Sequence, residues 1–205
     1  YTYGGGVYCE NADPFIKDCI IQNNTANEGG GAGIFCYESS PTFTGCIVKQ
    51  NETDDVGGGL YARDVSSPSF FNCTFFDNLA EFGGGCYLKS TSTPYMENVL
   101  FIQNTANNSG GGIGLKDNAD IEGTNLTISQ NVAEGLGGGI YINNADPLLS
   151  FALITDNTAS SGGGIYIRNN SEIYLTNLTM ANNNAGLYGS GVYMRDNSIV
   201  NLLNS

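Results

Sequence analysis

A repeat of about 26 residues runs through the whole chain of 205 residues. Each copy reads as a glycine-rich triplet, an alternating aliphatic–tyrosine–aliphatic segment, a polar turn, and a hydrophobic segment that ends in asparagine. The copies begin at Gly4, Gly31, Gly57, Gly83, Gly110, Gly137, Gly162 and Gly189. A period this constant is typical of a solenoid, in which every repeat is one turn that stacks on the next.

Each repeat has room for three short strands and their turns, at about 3.3 Å per strand residue, but not for a helix of ordinary length. In the copy that begins at Gly137, Ile140, Tyr141 and Ile142 alternate as in a strand, and Pro147 begins the next extended segment. Parallel strands joined by right-handed crossovers are the strong default. We therefore predict an all-β, right-handed parallel β-helix with seven full coils and part of an eighth. Residues 1–205 are predicted to form one domain, a segment of a longer chain or of a fibre.

Alignment of the repeats predicts which side chains stack along the solenoid. The column that follows the last hydrophobic strand holds asparagine without interruption, and apart from glycine no other column is invariant. Stacked amides about 4.8 Å apart can hydrogen-bond one another and also satisfy the backbone of a turn. The predicted ladder consists of Asn24, Asn51, Asn78, Asn104, Asn131, Asn157 and Asn183.

A second column places aromatic residues beside cations on the outward side of the first strand. Only seven Lys and Arg residues occur, and five of them follow the aromatic position by two residues. Side chains two apart on a strand point to the same face, which predicts an exposed row of rings and cations. This candidate docking face consists of Tyr8, Phe35, Tyr61, Tyr87, Tyr141, Tyr166 and Tyr193 with Arg63, Lys89, Lys116, Arg168 and Arg195. The plainer interpretation is a row that stabilises only its own sheet.

Two further sets of residues are candidates for covalent modification. Cys9 and Cys36 share one inward column, and Cys19, Cys46 and Cys73 share another. Neighbouring coils bring Cα atoms within disulfide range, although cysteine also serves as a small buried apolar residue. The acceptor sequence Asn-x-Ser/Thr occurs seven times, and we expect the ladder residue Asn51 to be inaccessible. The best N-glycosylation candidates share an outward column and are Asn72, Asn125 and Asn177.

Three segments carry a resemblance to a known family. They read PFIKDCIIQNNTANEGGG, SSPTFTGCIVKQNE and SSPSFFNCTFFDNLAEFGGG. The chain resembles right-handed parallel β-helix repeat proteins, and within them the polymorphic outer-membrane-protein type with its Gly-Gly-Xaa-Ile and Phe-x-x-Asn repeats. The resemblance implies the pectate-lyase-like fold, which carries enzymes, adhesins and structural shafts alike.

Composition narrows the functional classes. A net charge of −13 argues against nucleic acid as a partner, and no apolar stretch is long enough to span a membrane. The chain has no His, which argues against a zinc site, and its acidic residues are spread over many turns instead of meeting in one cleft. We expect a non-enzymatic, extracellular or cell-surface structural or adhesive module without a cofactor, whose partners are further copies or neighbouring domains.

Two other functions remain open at this point. The first is a carbohydrate-active protein, either a polysaccharide binder or a lyase or hydrolase, that would use the row of rings and cations. The second is ice binding, which needs a regular threonine ladder. The corresponding column is irregular and reads Ile20, Ile47, Thr74, Leu100, Thr127, Leu153 and Thr179.

Overall fold

The fold is a parallel β-solenoid, seen in a computed structural model that describes residues 3–205. Tyr1 and Thr2, the first two residues of the predicted domain, lie outside the described residues. The described chain contains 30 short strands and no helix. All strand pairings are parallel, and each joins a strand to its equivalents in the coils before and after it. The chain therefore winds as the repeat predicts, with one coil per interval between glycine triplets.

The strands form four sheets rather than the three that the sequence indicates, and the sheets are numbered here by their order within a coil. The first sheet contains Val7–Glu10, Ile34–Tyr37, Leu60–Arg63, Cys86–Lys89, Ile113–Lys116, Ile140–Asn143, Ile165–Arg168 and Val192–Met194. The second contains Phe15–Lys17, Thr42–Thr44, Ser69–Phe71, Tyr95–Glu97, Glu122–Thr124, Leu148–Ser150, Glu172–Thr176 and Ile199–Leu203. The third contains Ile20–Gln22, Ile47–Lys49, Thr74–Phe76, Leu100–Ile102, Thr127–Ser129, Leu153–Thr155 and Thr179–Ala181. The fourth contains Thr25–Ala26, Glu52–Thr53, Leu79–Phe82, Thr105–Ser109, Val132–Ala133, Thr158–Ser161 and Asn184–Tyr188.

The fourth sheet was missed because its strands carry no apolar alternation. They follow the ladder asparagine directly, and some have only two residues, such as Thr25–Ala26 and Val132–Ala133. Their inward position holds alanine in most coils, and Ala106, Ala133 and Ala159 pack together as a small cluster of their own. Small side chains at a tight corner suggest a turn, whereas here they let the backbone continue as a short strand.

The main core lies between the sheets and stacks like residues over like. Val7 is opposite Ile34 in the first sheet, and Phe75 is opposite Phe101 in the third. The rings of Phe75 and Phe101 stack with centroids 4.8 Å apart, close to the spacing between neighbouring strands. Burial of one such side chain contributes roughly 1.5–3 kcal/mol. The continuous stack of these side chains holds the coils in register.

The glycine triplets turn the chain tightly from the fourth sheet into the next first strand. Gly83, the first residue of one triplet, has φ +64°, a region that L-residues with a Cβ rarely adopt. At the third residue, Gly85, an added Cβ would lie 2.5 Å from the carbonyl oxygen of Gly112 in the next coil. The triplet therefore combines a left-handed bend with a backbone contact between coils that leaves no room for a side chain.

Candidate functional site

The asparagine ladder lies inside the solenoid, at the corner between the third and fourth sheets. Asn51 is fully buried, and its Nδ2 donates a hydrogen bond to Asn78 Oδ1 at 3.0 Å. The backbone N–H of Asn51 donates to the same oxygen at 3.1 Å. Equivalent amide-to-amide bonds of 2.9–3.0 Å join every neighbouring pair from Asn24 to Asn183. The ladder is thus continuous over seven coils.

Each ladder amide in the middle of the chain is fully paired. The Nδ2 atom of Asn104 donates to Asn131 Oδ1 and to the carbonyl oxygen of Phe75 in the preceding coil, both at 3.0 Å. Its Oδ1 accepts from the backbone N–H and the Nδ2 of Asn78. A buried amide is expensive unless its donors and acceptors are used, and here both donors and both lone pairs are used. The ladder supports the fold and has no free group for chemistry.

The aromatic column does not form the exposed face that the alternation predicts. Phe35, Tyr61, Tyr87, Tyr141 and Tyr166 are each 6 % exposed or less. Tyr8, in the first coil, is half exposed, and Tyr193, in the last, is half-buried. The prediction of an exposed aromatic ladder is therefore wrong for five of its seven members.

The rings are buried because the segment before each glycine triplet folds over them. Phe35, Tyr61 and Tyr87 form a second apolar cluster outside the first sheet, and Val56 and Phe82 pack against it. Phe82 comes just before Gly83, whose left-handed bend returns the chain to the first sheet. Burial raises the pKa of the Tyr87 phenol. Alternation correctly separated the two faces of the strand, but both faces turn out to be covered.

A gap divides the outer aromatic column into two stacks. Gly114 occupies the aromatic position in its coil, opposite Tyr87 on one side and Tyr141 on the other. A Cβ at Gly114 would lie 2.7 Å from Tyr87 Cδ2, because the Tyr87 ring covers that position. Tyr141 and Tyr166 then continue the column with centroids 5.8 Å apart.

The cations of the predicted docking face are engaged by the rings and by neighbouring acids. Arg63 Cζ lies 5.1 Å from the Tyr37 ring centroid and 5.9 Å from that of Phe35. Arg168 Cζ lies 5.4 Å above the Tyr141 ring. Salt bridges join Arg63 to Asp64, Lys89 to Asp117 and Arg195 to Asp196. Lys116 stays half-buried at the end of its strand. These contacts are typical of cations that stabilise their own sheet, so the candidate docking face is reduced to a row of partly exposed charges.

All six cysteines are free thiols in the structure, so none of the candidate disulfides is formed. Cys9 and Cys36 are direct register partners, and a hydrogen bond with Cys9 together with burial raises the pKa of the Cys36 thiol. Burial raises the pKa of the Cys73 thiol to about 11. Cys46, like Cys73, is buried, whereas Cys19 is exposed in the first coil. Most of these side chains therefore fill the core as small apolar groups.

The three candidate glycosylation residues lie at the corner between the second and third sheets. One residue per coil adopts φ of 51–64° there, and we call this set the corner column. It consists of Asp18, Gly45, Asn72, Asn98, Asn125, Phe151, Asn177 and Asn204. Asn72 and Asn125 are exposed and Asn177 is half-buried, whereas the sequon at Asn51 is buried in the ladder.

The acidic residues are dispersed, and several of them support corners. Asp120 Oδ1 accepts the backbone N–H of Asp146, and Asp146 Oδ1 accepts that of Glu172. A shallow open groove beside Tyr95 is lined by Asp120, Glu122 and Asp146. Residues 3–205 contain no group of three or more His, Cys, Asp or Glu side chains that could hold a metal ion. The same part of the chain contains no helix long and apolar enough to cross a membrane.

Sequence reasoning missed Phe151, the one apolar member of the corner column. It has φ 53° and is 60 % exposed, so it combines a left-handed backbone with a solvent-exposed aromatic ring. The signal was present in the alignment of repeats, because the equivalent position holds Asp, Gly or Asn in the other coils. From the sequence, this column points only to its acceptor asparagines Asn72, Asn125 and Asn177, because nothing in the pattern of repeats shows that the aromatic residue among them has a left-handed backbone.

Comparison with known proteins identifies the family but adds no closer relative. The sequence profile of the right-handed beta helix region matches residues 1–151, about three quarters of the chain. No curated protein and no solved structure gives a significant match. With its parallel coils and stacked core, the chain belongs to the right-handed β-helix family.

Proposed function

We propose that this chain is a non-enzymatic, extracellular structural module that acts as a rigid shaft and displays its outer surface to partners. The observation that carries the proposal is the unbroken amide ladder from Asn24 to Asn183, which ties every coil to the next inside the molecule. Eight stacked strands at about 4.8 Å per step give a shaft roughly 35 Å long. Since each coil contacts only its neighbours, the length and surface can be extended by adding coils.

The surface also supports this role. The turns are short and similar in every coil, and the ring–cation row stabilises the sheet from which it projects. Enzymes of any fold usually place their reactive groups on longer loops that form a cleft. Further copies of the chain, or neighbouring domains of a larger surface protein, are the partners that a shaft of this kind would meet.

The test combines shape with location. Small-angle X-ray scattering of the purified chain and of a tandem duplicate of it should show the maximum dimension increasing by about 35 Å, because added coils extend a solenoid along one axis. Antibodies raised against the chain should label intact, unpermeabilised cells of the source organism. A duplicate whose maximum dimension stays close to that of the single chain, or labelling only after permeabilisation, would contradict the shaft or its extracellular location respectively.

A carbohydrate-active role is the second candidate, and the groove beside Tyr95 favours it. The ring of Tyr95 lies 5.7 Å from that of Phe71, and Glu122 is exposed on the same face. Aromatic faces with adjacent carboxylates suit an extended sugar chain. A panel of soluble polysaccharides should be screened for binding and for new reducing ends, with Glu122→Gln as the matched variant. Turnover that this variant abolishes would replace the shaft proposal with an enzymatic one.

A further inference from the structure

The exposed aromatic ring of Phe151 lies directly between two glycosylation acceptors. The backbone N–H of Asn125 donates to Ser150 O at 2.9 Å, and that of Phe151 donates to Thr176 O at 2.8 Å. These bonds place Asn125, Phe151 and Asn177 in successive coils at the same corner. A bulky side chain with a left-handed backbone is an outlier that calls for an explanation, and at Phe151 the ring is also exposed between two acceptor residues.

The side chains of the corner column form a directional amide ladder that stops at Phe151. Asn98 Nδ2 donates to Asn72 Oδ1 at 3.1 Å, and Asn125 Nδ2 donates to Asn98 Oδ1 at 2.7 Å. Each nitrogen therefore points toward the preceding coil. For Asn177 the preceding coil offers the Phe151 ring instead of a carbonyl oxygen, and among the described residues its amide has no side-chain partner.

The surroundings of Phe151 extend the apolar surface next to the Asn177 acceptor sequence. Leu148 is 47 % exposed and Leu153 is 38 % exposed. Leu153 is the register partner of Thr179, the hydroxyl residue of the sequon Asn177-Leu178-Thr179, and Thr179 is itself exposed. A group attached to Asn177 Nδ2 and directed toward the preceding coil would lie over the ring of Phe151 and beside Leu153.

We propose that Asn177 carries an N-linked glycan and that Phe151 is the platform on which its first N-acetylglucosamine stacks. The polarised C–H face of a pyranose ring suits the electron-rich face of an aromatic ring. In the transfer step, the Nδ2–C1 bond forms, the C1–O bond to a lipid pyrophosphate donor breaks, and the amide proton passes to a base of the transferase. The glycan explains both the interruption of the amide ladder and the exposed phenylalanine. The inference rests on the proposed extracellular location.

Four variants separate the contributions of the sugar, the aromatic ring and the backbone conformation. Thr179→Ala removes the Asn177 sequon without changing Asn177, and Thr127→Ala does the same for Asn125. Phe151→Leu keeps an apolar side chain but removes the ring. Phe151→Asn restores the residue that the corner column favours. The full chain is expressed in a eukaryotic secretory host and trimmed by an endoglycosidase to the single N-acetylglucosamine, and site occupancy is read by glycopeptide mass spectrometry.

The decisive readout is the NMR spectrum of the isotope-labelled sugar. We expect Asn177 to be occupied and its sugar protons to be shifted upfield by the Phe151 ring current, a shift lost in Phe151→Leu and kept in Thr127→Ala. Thr179→Ala should lower the thermal unfolding midpoint by about 2–4 °C in the wild-type background and by much less in the Phe151→Leu background. Phe151→Asn should raise the midpoint only when the sugar is absent.

Three results would overturn the proposal. They are an unoccupied Asn177, identical sugar shifts with and without the ring, and sedimentation showing that Phe151 is instead covered by a second copy of the chain. These readouts concern one corner and one sugar. They are independent of the scattering length that tests the shaft, so either idea can fail alone.

Discussion

Two asparagine-rich columns run along the shaft, one buried and one at an exposed corner. The buried ladder from Asn24 to Asn183 has asparagine in all seven coils, and its central amides use every donor and acceptor. The corner column tolerates Asp18, Gly45 and Phe151 among its asparagines. The buried position requires a side chain that completes hydrogen bonds away from water, whereas the corner position mainly requires a residue that tolerates a left-handed backbone, with Phe151 as the exception. An asparagine therefore contributes much more to the free energy of unfolding in the buried ladder than in the corner column.

The largest effect is expected in the buried ladder, with Asn104→Ala. The substitution removes the acceptor of the Asn78 N–H and Nδ2 and the donor to the Phe75 carbonyl oxygen, and all of these groups are buried. Unpaired buried polar groups cost about 1–3 kcal/mol each, so the free energy of unfolding should fall by roughly 3–5 kcal/mol. Urea unfolding followed by circular dichroism measures the loss.

The matched control for Asn104→Ala is Asn98→Ala, at the corner between the second and third sheets of the same coil. If Asn104→Ala lowers the free energy of unfolding no more than Asn98→Ala does, the buried ladder stabilises the fold no more than the corner column does. Asn104→Asp sharpens the comparison further, because a carboxylate of the same shape lacks the two N–H donors. The Asn104→Asp variant should therefore be less stable than the wild type, even though the volume of the side chain is unchanged.

The second effect concerns the glycine that borders the ladder. In Gly85→Ala, the new Cβ would lie 2.5 Å from Gly112 O and 2.9 Å from Phe101 Cδ1, and 3.1 Å from Asn104 Nδ2. Overpacking of this kind costs roughly 2–3 kcal/mol, since backbone of the next coil must shift. Differential scanning calorimetry should show a lower midpoint. An unchanged midpoint would indicate that the coils can separate locally without disturbing the ladder.

The buried ladder could be predicted from the sequence, and the outer surface could not. Invariance at one position of a fixed period identifies a side chain whose partner is its own copy in the next coil. The cover over Phe35, Tyr61 and Tyr87 depends on how the segments containing Val56 and Phe82 bend before each glycine triplet. That bend is a tertiary feature. The alternation of residues along a strand distinguishes its two faces but does not show which of them is exposed to solvent.

The third effect is expected at the exposed corner, where Asn98 has φ 56°. Asn98→Ala should lower the free energy of unfolding by about 1 kcal/mol. At this positive φ the Cβ crowds the carbonyl oxygen, and alanine has no polar side-chain group whose local hydrogen bond would offset that crowding. Asn98→Gly should cost less, since glycine adopts the conformation freely, as Gly45 does in the same column. Equilibrium unfolding of both variants gives the difference. Equal losses would indicate that the exposed amide bonds to Asn72 and Asn125, not the backbone, set the preference.

The smallest effect, and the one with the opposite sign, is expected for Gly45→Asn. Gly45 has φ +64°, and asparagine is the residue that its column uses most often. Replacing glycine at a compatible backbone position reduces the entropy of the unfolded chain and should stabilise the fold by about 0.5 kcal/mol. The added Cβ meets Asp18 Oδ1, the end of an exposed side chain that can move away. The urea midpoint should rise at constant slope for Gly45→Asn and fall for Gly45→Ala, because alanine has no polar group that favours the left-handed region. If both variants fall equally, side-chain crowding governs this corner, and the contrast between a column chosen for hydrogen bonding and a column chosen for conformation no longer holds.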